Sequence, residues 1–195
     1  MTPRQTEKIK FKIVQIKRTL AAEKRKFGTY DDSRGLRYLP TGHYLKLQDF
    51  SGGLAYVKWF QKNFPDDSGF PDFLFEWTVI LFKNGKLQDA GKKAFQTYCR
   101  NTYVFDKFFG KPIVPIEKLE NSNVDIPEFA KYFNYSSAQL ELADFTEWLS
   151  KFMATDKFVK SGEKFIEIYK RLKTEDDRET RHYLIQQASQ LKDEF

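Results

Sequence analysis

The chain has 195 residues, of which 41% are hydrophobic and 17% aromatic, and this content predicts one folded domain and excludes a disordered chain. A single cysteine, Cys99, excludes an internal disulfide framework, and no apolar run is long enough for a membrane span or a secretory signal, so we expect a cytoplasmic protein. The net charge of +6 comes from residues 1–30, which carry nine Lys or Arg against two Glu.

Residues 1–33 are predicted to form a basic N-terminal helix that ends in a loop over residues 26–35. One helical stripe of apolar residues indicates this helix: Ile9, Ile13, Ile16 and Leu20. A patch of basic residues is expected beside the stripe: Lys10, Lys17, Arg18, Lys24 and Arg25. The simplest interpretation of this patch is a solvated helix face, and the alternative is a nucleic-acid contact.

Residues 34–110 are predicted to form two helix pairs. The first helix covers residues 37–47, with Pro40 in its first turn, where amide groups have no intrahelical partner. A second helix is expected over residues 52–63, a third from Pro71 to Lys83, and a fourth over residues 87–100 after the turn "KNGK".

The second half of the chain begins with a segment that contains several prolines. Residues 111–136 contain Pro112, Pro115 and Pro127 and are predicted to be an ordered connector packed by Ile, Phe and Tyr side chains. Residues 137–195 are predicted to be helical, with Ser137 capping a helix that runs to Met153 and two further helices over 156–172 and 177–192. Strand-like alternation is weak throughout, so the predicted fold class is all-α.

The segment "DFSGGLAYVKWF" (49–60) places two adjacent glycines, Gly52 and Gly53, in an apolar stretch. A phosphate-binding loop would need spaced glycines after a strand, or Lys and Ser or Thr after the second glycine, and neither is present. The alternative is a close crossing of two helices. Tyr44 and Leu81 are each followed nine residues later by a small residue, Gly53 and Ala90.

This layout, repeated at an offset of 37 residues, resembles the tetratricopeptide repeat (TPR) over residues 34–102. The resemblance implies a right-handed superhelical array of helix pairs with flanking N- and C-terminal helices, in which large residues such as Tyr44 meet small ones such as Gly53. Gln48, Thr41, Thr78 and Thr102 depart from the family pattern. The rest of the chain loosely resembles the tail of uncharacterised bacterial repeat proteins.

The resemblance also implies a groove lined by the first helix of each pair. Its candidate binding residues are Tyr38, Leu45, Lys46, Phe75, Val79, Phe82 and Lys83. An open groove suits an extended or helical peptide with apolar anchors, whereas the chain's own helices could instead fill it and make these residues core. Both alternatives stay open at this point.

No pattern of residues indicates catalysis, a cofactor or a metal. His43 and His182 have no Cys or His at metal-ligand spacing, and Cys99 has no local histidine partner. We therefore expect no enzyme but a protein–protein interaction or adaptor module whose partner is a peptide or protein. The alternative is a nucleic-acid-associated accessory protein that uses the basic N-terminal helix.

Overall fold

The computed structural model describes residues 1–30 and 34–195. These residues contain helices, turns and loops and no strand, so the all-α prediction is confirmed. The α-helices of the described residues are α1 (Pro3–Phe27), α2 (Leu39–Leu47), α3 (Phe50–Asn63), α4 (Pro71–Lys83), α5 (Leu87–Arg100), α6 (Val104–Phe108), α7 (Pro127–Lys131), α8 (Ala143–Met153), α9 (Asp156–Thr174) and α10 (Arg178–Asp193). Single turns of 3₁₀ helix cover Leu36–Tyr38 and Leu140–Leu142.

The chain divides into two compact units, Met1–Lys86 and Leu87–Phe195. The boundary between these units lies after α4, inside the segment predicted to hold the TPR-like pairs. The superhelical repeat arrangement and the single-domain organisation therefore stay predictions.

Helix α1 is defined at both ends by local hydrogen bonds. At its start, the backbone N–H of Gln5 donates to Thr2 Oγ1 at 3.3 Å and the backbone N–H of Thr2 donates to Gln5 Oε1 at 2.8 Å, which is a capping box. At its end, Gly28 has a φ of 73° and its N–H donates to the Lys24 carbonyl at 3.0 Å. The helix thus ends inside the loop predicted over residues 26–35. Residues 31–33 of that loop lie outside the described part of the chain.

Helices α2, α3 and α4 pack against one another in the first unit, and α1 packs against α2. Pro40 lies in the first turn of α2, as predicted. The connection from α2 to α3 bends at Gln48, which has a φ of 54° where the TPR pattern has glycine. Asp49 then caps α3, because its carboxylate accepts the Gly52 N–H at 2.9 Å.

The two glycines of α3 lie against different helices. A Cβ added to Gly53 would lie 3.0 Å from Ile80 Cδ1 in α4, so α3 and α4 approach closely there. A Cβ added to Gly52 would lie 2.7 Å from Tyr44 Cε1 in α2. The atoms nearest to Gly53 thus belong to Ile80 of α4, whereas Gly52 lies beside the Tyr44 ring that the repeat pattern pairs with Gly53.

The core of the second unit includes a cluster from α9 and α10. Phe165, Ile168 and Leu172 of α9 are buried together with Leu184 and Ala188 of α10. Helix α5 contacts both of these helices. The predicted boundaries of α9 and α10 agree with the structure to within two residues, and Asp177 caps α10 by accepting the Thr180 N–H at 2.8 Å.

The predicted start of α8 is wrong. Ser137 does not cap a helix; its backbone N–H donates to the Phe108 carbonyl at 2.8 Å. A turn of 3₁₀ helix follows at Leu140–Leu142, and α8 begins only at Ala143. This hydrogen bond holds the end of the connector against α6.

The connector over residues 111–136 is ordered by hydrogen bonds to Asn101, the residue after α5, and to α9. The buried Asn101 side chain donates from Nδ2 to the carbonyls of Val124 at 2.7 Å and Ile126 at 3.1 Å. The N–H of Leu119 donates to the Tyr169 carbonyl at 2.9 Å. These bonds satisfy backbone groups that no regular element supplies with partners.

Candidate interaction surfaces

The solvent side of α1 carries most of the net positive charge of the chain. All nine of its Lys and Arg residues are exposed, whereas Ile13 and Leu20 on the opposite side are buried. Arg4, Phe11, Arg18 and Arg25 follow one another at a spacing of seven, which places them near one line along a helix. With Val14, these residues define what we call the outer face of α1.

The cations of α1 have few acidic partners in the described residues. Lys10 pairs with Glu7 at 2.9 Å, and the other acidic residue of the helix, Glu23, lies 3.6 Å from Arg34. The remaining eight Lys and Arg of α1 form no ion pair within the described ranges 1–30 and 34–195. A surface with this excess of charge attracts polyanions over a distance of about 8–10 Å at physiological salt.

Two lysines of the predicted basic patch lie over aromatic rings of their own unit. Lys17 Nζ is 5.8 Å from the ring centroid of Tyr44 and 5.9 Å from that of Tyr56, and Lys24 Nζ is 5.2 Å from that of Tyr30. These cation–π contacts hold the two lysines near the unit's core. Arg18 and Arg25 of the outer face have no such contact among the described residues and extend from the exposed side.

Three of the predicted groove residues are engaged inside the first unit. Phe75 and Val79 have no exposed surface, so both are core residues. Tyr38 donates its hydroxyl to Asp67 at 2.8 Å, and burial, followed by that hydrogen bond, raises the pKa of Tyr38 to about 12. Its ring also lies 5.1 Å from the ring of Phe73. A partner cannot contact Phe75 or Val79 without a rearrangement of the core.

The other four predicted groove residues keep some exposed surface. Lys46 is exposed, and Leu45, Phe82 and Lys83 are half-buried. Lys83 Nζ lies 5.5 Å from the ring centroid of Phe50. Helices α2 and α4, which carry these side chains, are joined by the Thr41 hydroxyl, which donates to Glu76 Oε2 at 2.5 Å.

The two histidines and the cysteine belong to three different helices, α2, α5 and α10. Burial, with Lys46 and Lys12 nearby, lowers the pKa of His43, and burial raises the pKa of the Cys99 thiol. His182 Nε2 lies 2.9 Å from Gln186 Nε2 on exposed α10. Within the described residues, no group of three or more His, Cys, Asp or Glu is placed to hold a metal ion. None of the helices described is both long and apolar enough to span a membrane.

The sequence patterns missed Arg4, Phe11 and Val14 of the outer face. Phe11 is 62% exposed and Val14 is 43% exposed, although both are apolar. The seven-residue spacing from Arg4 through Phe11 to Arg18 is visible in the sequence, and it is the signal that predicts a shared helix face. This spacing is easily overlooked, because an apolar residue such as Phe11 is normally assigned to the buried stripe of its helix.

The chain matches no family model, and no curated protein or solved structure was found to match it. The resemblance to the tetratricopeptide repeat therefore depends on the residues quoted from the sequence alone.

Proposed function

We propose that this chain is a non-catalytic binding protein whose outer face of α1 binds nucleic acid. The observation that carries the proposal is the set of eight exposed Lys and Arg on α1 that have no ion pair in the described residues. A nucleic-acid backbone supplies phosphates at regular short intervals, and Lys and Arg bind them with release of counterions. Helix α1 is about 37 Å long, enough to follow several phosphates.

The distribution of apolar residues on α1 favours nucleic acid over a membrane surface. A helix that lies on a membrane needs a continuous apolar face to insert between the lipids. In α1 that stripe is directed at its own unit, where Ile13 clusters with Tyr44 and Tyr56. The solvent side carries cations with three scattered large apolar side chains, Phe11, Val14 and, at the last residue of the helix, Phe27.

The exposed ring of Phe11 adds a contact that charge alone does not provide. It lies between Arg4 and Arg18 in the line along the helix. Bases of single-stranded nucleic acid stack on exposed aromatic rings, while neighbouring cations bind the phosphates. This arrangement favours single-stranded RNA or DNA as the partner.

The experiment is a titration of fluorescein-labelled single-stranded 20-mers, RNA and DNA, with the full chain, followed by fluorescence anisotropy. The test variant is Arg18→Glu with Arg25→Glu, on the outer face. The control is Lys58→Glu with Lys62→Glu, two exposed lysines of α3 in the same unit, which changes the net charge by the same amount.

We expect the outer-face variant to weaken binding by at least about tenfold, because each lost phosphate contact also loses its counterion release. The control should change the affinity much less. If both variants weaken binding equally, the effect is one of net charge and the outer face is not the site. If the unaltered chain does not bind either 20-mer at low salt, the proposed function is wrong.

A peptide groove between α2 and α4 is the second candidate function. The observation that favours it is the direct contact of α2 with α4 through Thr41 and Glu76, as expected of the first helices of successive repeat pairs. The partner would contact Leu45, Lys46, Phe82 and Lys83, since Phe75 and Val79 are core. Apolar anchors with an acidic residue would complement this surface.

The peptide groove is tested by Phe82→Ala in the full chain. A half-buried ring that anchors a peptide should affect the complex more than the free protein. We therefore expect a small change in the urea midpoint and a clear loss of binding in a screen of acidic amphipathic peptides. A large loss of stability, of about 3–5 kcal/mol, would instead make Phe82 a core residue and remove this candidate.

A further inference from the structure

The segment that follows α10 places one phenylalanine ring against three others in the second unit. Phe195 stacks on Phe95 of α5, with ring centroids 4.1 Å apart and an angle of 13° between the planes. Phe152 of α8 and Phe158 of α9 meet the Phe195 ring nearly at right angles, with centroids 5.8 and 6.2 Å away. We call Phe95, Phe152 and Phe158 the aromatic box, and Phe195 is its occupant.

The aromatic box is fixed by contacts that do not involve its occupant. The ring of Phe158 lies 5.7 Å from that of Phe95 and 5.5 Å from that of Phe152. On its other side, Phe152 stacks on Trp148 with centroids 5.2 Å apart. A Cβ added to Gly91 would lie 2.9 Å from Phe152 Cε2, so the glycine leaves room for this ring. The three rings are therefore held in place for any phenyl group that enters between them.

Two lysines beside the aromatic box bind backbone oxygens of the segment that carries the occupant. Lys157 of α9 donates from Nζ to the backbone oxygen of Phe195 at 2.6 Å, and the same Nζ lies 4.5 Å from the centroid of the Phe195 ring. Lys92 of α5 donates from Nζ to the carbonyl of Asp193. The site thus contacts its occupant in two ways, by rings around a ring and by ammonium groups on oxygen atoms.

Neither lysine has an acidic partner within residues 1–30 and 34–195. Asp156, which precedes Lys157 in the chain, pairs instead with Lys160 at 3.0 Å. Glu194 is exposed and Phe195 is half-buried, so little buried surface is lost when the occupant leaves the box. Its departure would leave two ammonium groups without their oxygen acceptors, beside an open apolar site. An anion would replace those acceptors, and its hydrogen bonds would be stronger than those of a neutral carbonyl.

We propose that the aromatic box binds a small aromatic carboxylate, and that Phe195 keeps this site closed until such a ligand displaces it. The phenyl group of the ligand takes the place of the Phe195 ring, and its carboxylate accepts from Lys157 in place of the backbone oxygen. Because the occupant is tethered, it competes at an effective concentration of about millimolar, which weakens the apparent affinity for the ligand. This site is separate from the outer face of α1 and does not depend on nucleic-acid binding.

Two matched probes test the chemical class: 3-phenylpropionate, which has the atoms of a phenylalanine residue from ring to carboxyl carbon, and the neutral 3-phenyl-1-propanol. Each is titrated into the ¹⁵N-labelled full chain, and the dissociation constant is measured from the shifts of the amide signals. We expect saturable binding of the carboxylate, at least about tenfold tighter than that of the alcohol, with shifts at Glu194 and Phe195. Equal binding of the alcohol, or no saturable shift with the carboxylate, overturns the proposal.

A third probe separates a small molecule from the end of a peptide. The peptide N-acetyl-Gly-Gly-Phe carries the same ring and carboxylate on a backbone, and we expect it to bind no tighter than 3-phenylpropionate. Tighter binding of the peptide would assign the box to a peptide ligand and overturn the small-molecule proposal.

Phe195→Ala tests whether the occupant closes the site. Removal of the tethered ring should tighten binding of 3-phenylpropionate by at least about tenfold, because the competitor is lost. Equal affinity of the variant and the unaltered chain would show that Phe195 does not compete for the site. Binding to the variant alone would show a cavity created by the substitution, and either result overturns the proposal.

Two lysine variants locate the carboxylate. Lys157→Gln should weaken binding of 3-phenylpropionate about tenfold and leave that of the alcohol unchanged. Lys160→Gln is the matched control, an exposed lysine of the same helix that pairs with Asp156, and it should change neither. Both lysines are exposed, so these variants keep the fold and the test does not depend on Phe195→Ala. If Lys157→Gln binds the carboxylate as the control does, the proposed site is wrong.

Discussion

Helices α4 and α1 belong to the same unit but are stabilised in different ways. In α4, nine of 13 residues are buried, and the helix forms because it is surrounded by other parts of the fold. In α1, only Ile13 and Leu20 of 25 residues are buried, so its length depends on its capping box, its glycine end and its helix-forming Lys, Arg and Ala residues.

The difference separates residues that build the protein from residues that are free to bind. Phe75 of α4, for example, was predicted to contact a partner but is held in the core. A side chain of the outer face of α1 can change its contacts at little cost to the fold. A binding function is therefore expected on α1 rather than on α4, and substitutions in the two helices should differ in their effects on stability and binding.

The largest effect is expected for Phe75→Ala in α4. Removal of a fully buried ring should lower the free energy of unfolding by about 3–5 kcal/mol. Urea denaturation followed by circular dichroism measures it. A loss below about 1 kcal/mol would mean that the α4 core is wrongly described and that Phe75 is again a candidate for the groove.

A smaller loss is expected for Gly53→Leu, at the close approach of α3 and α4. The new side chain meets Ile80, whose atoms already lie 3.0–3.1 Å from the position of a Cβ, and such overpacking costs about 1–3 kcal/mol. Gly52→Ala is the informative companion, because its Cβ would meet both the Asp49 carboxylate that caps α3 and the Tyr44 ring, the latter at 2.7 Å, so we expect a loss of stability. If Gly52→Ala leaves the denaturation midpoint unchanged, neither the Asp49 cap nor the tyrosine ring is fixed where the structure places it.

A local effect is expected for Thr2→Ala at the start of α1. Loss of the capping box should destabilise this helix by about 1 kcal/mol, because no buried contacts compensate in its first turn. Amide hydrogen exchange measures the result: the N–H groups of the first turns of α1 should exchange faster, whereas those of α4 should not change. Equal acceleration in both helices would show that α1 is coupled to the core more strongly than its burial indicates.

The smallest effect on stability is expected for Phe11→Ala, the counterpart of Phe75→Ala on the exposed helix. A ring that is 62% exposed contributes little to folding, so the free energy of unfolding should change by less than about 0.5 kcal/mol. The same variant should weaken binding of a single-stranded 20-mer by about tenfold if a base stacks on the ring. A stability loss like that of Phe75→Ala would contradict the division between the two helices.

Most helices were predictable from the sequence because their boundaries depend on local signals. Pro71 at the start of α4 and Asp177 before α10 are examples, since a proline or a carboxylate there acts on the first turn of its own helix. Ser137 shows the limit of such signals. It looks like a cap, but its N–H bonds to Phe108, a residue far away in the chain, and this choice is made by packing.

The interaction surfaces were less predictable for the same reason. The resemblance to the tetratricopeptide repeat placed Phe75 and Val79 on a candidate groove, yet their exposure depends on what covers α4, which the repeat pattern does not report. For Phe11 the error is the reverse: it is exposed but was not predicted as a surface residue, because an aromatic residue in a helix is expected to be buried. The exposure of the basic residues of α1 was easier to predict, since a surplus of Lys and Arg has to remain in solvent, and their role in binding stays a prediction.

The most direct test of the central claim is the salt dependence of single-stranded 20-mer binding, measured by anisotropy between 50 and about 200 mM salt. For the unaltered chain, phosphate contacts by the three arginines of the outer face predict a slope of log affinity against log salt of about −2.1, from about −0.7 for each contact. The variant with Arg18→Glu and Arg25→Glu should have a slope shallower by about 1.4. A flat slope for the unaltered chain, or an identical slope for the variant, would contradict the account that the outer face of α1 binds nucleic acid.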